Sequence, residues 1–133
     1  MTTLDVYPMV LCAECLWREA QNQSYQAMVA VAWVIRNRVR LPGHDLVRVV
    51  SAPWQFSSMT APGDPNLVKW PQTGDAAFER CCSAVDAVWG GTFADNTKGA
   101  TFYYSPPITE APREWGPTVV TTVIDELTFC KPA

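Results

Sequence analysis

The chain has 133 residues, 48% of them hydrophobic, and a formal net charge of −3. That length allows one domain, residues 1–133, with a real core, and the apolar fraction excludes a disordered chain. The acidic balance argues against nucleic acid as a partner, because a protein that grips phosphates shows a basic face.

The opening run MTTLDVYPMV has no basic segment ahead of an apolar stretch, so it does not read as an export signal. Pro8 suits an N-terminal turn, and from there Met9, Cys12, Leu16 and Trp17 recur at a helical period. This first helix is expected to end between Ala20 and Asn22, with Asn22 as a left-handed cap. Ser24 is the predicted N-cap of a second helix running to about Arg40, and Pro42-Gly43 stops it. The nine residues from Ala27 to Ile35 are all apolar. The run is about half a membrane span, so no membrane insertion is expected. A helix apolar on every side is a buried one, which makes this the central post of the fold. Arg36, Arg38, Arg40 and Arg48 read as solvated helix ends.

Asp45 is placed to cap a short helix carrying Leu46, Val47, Val49 and Val50. Then comes SAPWQFSSMTAPGDPNLVKWPQTGD, irregular and rich in proline, with Trp54 and Trp70. A loop this long in a compact domain is usually functional. Residues 75–89 return to helix, with Phe78, Cys81, Cys82, Val85, Val88 and Trp89 as one stripe and Gly90-Gly91 as the stop. ATFYYS, TVVTTVI and LTFC are rich in β-branched and aromatic residues, with Asp125-Glu126 as a hairpin turn. The fold class is therefore α+β: helices through the N-terminal two-thirds around a central buried helix, then a small antiparallel β-sheet at the C-terminus.

Five cysteines, an odd number, read as buried thiols rather than a disulfide framework. Cys12 and Cys15 lie inside a helix, and adjacent Cys81 and Cys82 diverge by about 100°. His44, the lone histidine, reads as a surface residue in RLPGHD. No metal site and no cofactor are implied.

One acid stands out. Glu19 falls at the end of the first helix, beside Trp17 and near Tyr25. Burial and the partial negative charge of a helix C-terminus both disfavour an ionised acid there. A protonated carboxylic acid is what departure of a glycosidic oxygen needs. The other reading of the same residue is an exposed glutamate paired with Arg18.

WREAQNQSYQAMVAVAWVIRNRV resembles the opening motif of the spore-cortex-lytic, germination-type cell-wall hydrolase family. PWQFSSM, ATFYYSP and WGPTVVTTVIDELTFC resemble that family's later segments in the same order, so the likeness spans roughly residues 10–130. It implies a lysozyme-like catalytic domain that cleaves the β-1,4 bond between N-acetylmuramic acid and N-acetylglucosamine in peptidoglycan. The expected chemistry is that of a lytic transglycosylase, forming 1,6-anhydro ends with one catalytic glutamate. The resemblance places the catalytic acid on Glu19 and substrate contacts on Gln55, Phe56, Ser57, Tyr103 and Tyr104. Alternation along a strand lets only one of the two tyrosines face a cleft. Asn37 and Arg38 match the family's Asn-Arg pair, with Asn37 expected to hold a loop. Gln21, Asn22 and Gln23 depart from the family pattern by replacing its Arg-Gly-Glu.

A water-using muramidase of the same fold and a non-catalytic virion or wall-binding protein remain alternatives. Asp64 is the leading candidate for the second carboxylate that hydrolysis calls for, against a plain role in a turn. Trp54, Phe56, Trp70 and Trp115 are candidates to stack on sugar rings, against core packing. With neither export signal nor wall-binding module, the chain is expected to be phage-encoded and made in the host cytoplasm. It would act on the wall from the periplasm, at lysis or from a virion, with holin or virion components as possible partners beside the glycan strand.

Overall fold

The long apolar run settles the architecture, because a helix with no polar face has to be enclosed by others. The computed structural model describes residues 3–41, 45–51, 56, 59 and 62–133, and side chains from Val6 onward. Helix α2 (Tyr25–Val39) is buried continuously from Ala27 to Ile35. Around it pack α1 (Thr3–Ala20), α3 (Leu46–Ser51) and α4 (Ala76–Trp89). Each fully buried valine of α2 contributes about 1.5–3 kcal/mol by leaving water, so a charge placed at Val31 would abolish the fold.

Local chemistry sets most element boundaries. The Ser24 hydroxyl accepts from the Ala27 N–H at 3.2 Å and starts α2. Asp45 accepts from Arg48 N at 2.8 Å at the head of α3, and Asp75 from Phe78 N at 2.9 Å at the head of α4. Two expectations about α1 are corrected. The helix begins at Thr3 and carries Pro8 within it, near its start. Asn22 is not left-handed: the only described non-glycine residues with positive φ are Lys98 and Asp125. The link to α2 is instead closed by Gln23 N donating to Ala20 O at 3.0 Å.

The C-terminal part forms an antiparallel sheet in the order β1-β3-β2, from β1 (Phe102–Tyr104), β2 (Thr118–Ile124) and β3 (Leu127–Pro132). Asp125 turns the β2–β3 hairpin at φ 52°, a conformation aspartate tolerates better than most residues. Its carboxylate accepts from Ser24 N at 3.0 Å, which pins the hairpin to the start of α2. Hydrogen bonding from Ser24, its hydroxyl first and its backbone N–H second, holds the exposed Asp125 carboxyl below its ordinary range.

Candidate active site

Glu19 is the next-to-last residue of α1 and is half-buried. The Tyr103 hydroxyl donates to its Oε1 at 2.5 Å. Among the described residues nothing else hydrogen-bonds or ion-pairs with this carboxylate, and Oε2 is free. Tyr103 is fixed in turn by aromatic neighbours, with ring centroids 5.8 Å from Phe129 and 6.4 Å from Phe56. Burial pushes the phenol's pKa well above its usual value, and the charge on Glu19 pushes it further. Tyr103 therefore stays protonated and remains a donor.

The strand that delivers Tyr103 is held by the end of α2. Asn37 Nδ2 donates to Asp95 Oδ2 and to Ala100 O, each at 3.0 Å, so Asn37 does hold a loop. Asp95 also accepts from Thr97 Oγ1 at 2.6 Å, Thr97 N at 2.8 Å and Gly99 N at 3.1 Å. Partial burial would raise the Asp95 pKa, but these donors outweigh it and the carboxyl lies below its usual value. Arg38 Nε donates to Thr101 O at 2.5 Å, one residue before β1. The backbone is thus clamped over 95–101, immediately ahead of the tyrosine.

Arg38 is not a solvated helix end. It is 8% exposed, and its guanidinium lies between the rings of Phe56 at 5.1 Å and Phe102 at 5.0 Å. Burial lowers its pKa, with Tyr103 opposing. Its neighbours took up space that sequence alone assigned to water: the two rings close over it and Thr101 supplies an acceptor. Arg36 and Arg40 stack on Trp33 instead, at 4.9 Å and 5.6 Å.

Arg18 is not the partner of Glu19. Its Nε donates to Glu14 Oε1 at 2.9 Å, and Glu14 is only 2% exposed. Burial raises the Glu14 pKa, opposed by the adjacent guanidinium. Arg18 also reaches Lys69 O at 3.2 Å and stacks on Trp70 at 4.6 Å. Asp64 and Asp75 are occupied elsewhere. Asp64 Oδ1 accepts from Asn66 N at 2.8 Å, the turn role, and Asp75 caps α4.

The expected substrate contacts fare unevenly. Gln55 and Ser57, with Trp54 and His44, lie outside the described residues. Phe56 is corrected: at 1% exposure it supports Tyr103 and Arg38 from inside and offers no face to a ligand. Tyr103 meets Glu19, while Tyr104 turns to the opposite face of β1. Of the tryptophans, Trp115 stacks on Phe102 at 4.6 Å with 16° between the rings. Trp70 is 62% exposed. Cys12, Cys15, Cys81 and Cys130 are buried free thiols, and burial pushes Cys81 up to about 12. Asp95 was not singled out from sequence, although DNTKG, an acid followed by turn formers, carried the signal.

The family description "Cell Wall Hydrolase" matches residues 22–130. The chain belongs to the cell wall hydrolase family. The matched span begins just past Glu19, but solved structures extend the likeness. The catalytic domain of the Bacillus cereus SleB protein superposes with a TM-score of 0.70 at 27% identity, covering 93% of this chain and 89% of that one. The catalytic domain of the germination-specific lytic transglycosylase SleB from Bacillus anthracis gives 0.70 at 25%, covering 93% of each chain. None of the curated proteins matches by sequence. The hydrolase domain has the lysozyme-like fold of these relatives, and family membership supports peptidoglycan degradation as its activity.

Proposed function

We propose that this cell wall hydrolase is a lytic transglycosylase and that Glu19 is its single catalytic carboxyl group. The observation that carries this is the half-buried Glu19 bound by one neutral donor, Tyr103, at 2.5 Å. With Oε1 accepting from the phenol, Oε2 is the oxygen left to carry a proton toward a ligand. Glu19 gives that proton to the oxygen joining N-acetylmuramic acid to N-acetylglucosamine. The bond breaks toward an oxocarbenium-like centre, and the muramic acid's own 6-hydroxyl closes on it. Ionised Glu19 takes the hydroxyl proton, which returns the site to its starting state and leaves a 1,6-anhydro end. No water is consumed.

A hydrolase would need a second carboxylate as base or nucleophile. Glu14 is locked to Arg18, Asp64 and Asp75 cap helices, and Asp95 holds its loop. These occupations favour the one-acid route. Tyr103 is the proposed positioning group, orienting the carboxyl without exchanging its own proton.

Mass spectrometry of fragments released from purified peptidoglycan tests the reading. Anhydro ends are expected; reducing ends, heavier by one water, would make the protein a muramidase. Glu19→Gln is expected to release neither, and undiminished release by that variant would remove Glu19 from the mechanism.

A further inference from the structure

The reaction needs one sugar pair at Glu19, but a long polymer requires a surface that holds it beyond the cleaved bond. Trp70 has the properties of such a surface. Its indole is 62% exposed. It is also not loose. The Arg18 guanidinium lies 4.6 Å from its ring centroid, covering one face. Arg18 is itself 8% exposed, fastened to Glu14 at 2.9 Å and to the Lys69 carbonyl at 3.2 Å. A buried cation therefore holds an exposed ring by one face, and Arg18 is the sequence neighbour of Glu19.

The next residue, Pro71, lines an open hollow of about 650 Å³ between the 71–75 turn and α4. Its wall includes Gln72, Thr73, Glu79 and Ser83. Amide, hydroxyl and carboxylate groups with both donors and acceptors suit vicinal sugar hydroxyls and N-acetyl groups. Trp70 precedes the first lining residue of this wall in the chain, and an aromatic ring next to polar groups matches a pyranose ring, which has one apolar C–H face and a polar rim.

We propose that Trp70 and the adjoining hollow form a glycan-holding subsite, with one N-acetylhexosamine ring stacked on the free indole face and the strand continuing along Gln72. This rests on the reading of the domain as a peptidoglycan-cleaving enzyme. Trp70 would bind substrate remote from the reacting bond and take no part in proton transfer.

Binding and cleavage separate the two claims. Glu19→Gln protein is sedimented with purified peptidoglycan and titrated with chitohexaose. Adding Trp70→Ala should weaken binding about tenfold, equivalent to ~1.4 kcal/mol. Trp70→Phe, which keeps a flat face, should recover most of it, and Gln72→Ala should cost a few-fold. In the active protein Trp70→Ala should raise KM and leave kcat unchanged. Equal binding by Trp70→Ala and its parent, with the melting temperature lowered or not, overturns the subsite and leaves Trp70 as a cover for Arg18. Equal binding by Trp70→Phe and Trp70→Ala overturns the stacking claim. If the wild type releases no fragments, the catalytic reading fails, while the binding titration still decides the subsite.

Discussion

Glu14 and Glu19 lie five residues apart on helix α1, and the fold treats them oppositely. Glu14 is sealed at 2% exposure against the Arg18 guanidinium, 2.9 Å away. Glu19, one turn further, is half-buried and held by a neutral phenol. A buried ion pair satisfies both charges and leaves neither available for proton transfer. A phenol satisfies one oxygen and leaves the other open. The difference teaches how one helix can hold one acid as a structural ion pair and leave another, the acid proposed as catalytic, with an oxygen unpartnered among the described residues.

Replacing each acid in turn should break this contrast most sharply. Glu19→Gln is expected to cost at least 10²–10⁴ in cleavage rate, the usual worth of a general acid–base group, with little change in urea stability. Glu14→Ala should do the reverse. Leaving Arg18 buried without its carboxylate costs about 3–5 kcal/mol, read as a lowered urea midpoint, while the folded fraction keeps its activity. If Glu14→Ala abolishes cleavage without unfolding, the division of labour between the two acids is wrong.

Tyr103→Phe sharpens the comparison further. The ring stays against Phe129 and Phe56, so stability should fall by about 1 kcal/mol, the ordinary net worth of a hydrogen bond. Cleavage should fall roughly tenfold through kcat rather than KM, since each 1.4 kcal/mol in a barrier is tenfold in rate. A change in KM alone would make Tyr103 a substrate contact and not a positioning group.

The smallest effect concerns the loop that delivers the tyrosine. Asp95 has its pKa lowered in the fold, so its stabilising contribution is present above the unfolded value, roughly 3.9, and is lost as pH falls through the folded value. Stability measured from neutral pH down to about pH 3 should therefore decline less steeply in Asp95→Asn than in the wild type. An identical slope would mean that the four hydrogen bonds to Asp95 do not favour its charged form.

Much of this was legible in the chain. Ser24, Asp45 and Asp75 announce helix starts because a cap acts over three residues. The apolar run of α2 announces its own burial, and Asp125 announces a turn. Asn37 was legible as a loop holder, though not the acid it holds. Arg38 was misread because charge predicts exposure on average, and only the enclosing rings of Phe56 and Phe102 show why this guanidinium is inside. Phe56 was misread for the converse reason: an aromatic beside polar residues in a loop can face either way.

By itself the sequence determined the elements, the buried post and the placing of an acid at a helix end, since propensity, capping and hydrophobic period act within a few residues. Only the tertiary structure decided that Tyr103, 84 residues away, would be the group that meets Glu19. It also decided that Arg18 would turn to Glu14 and Trp70 instead. Each of these groups had several possible partners, and the choice followed from which surfaces closed on one another when the helices and sheet packed.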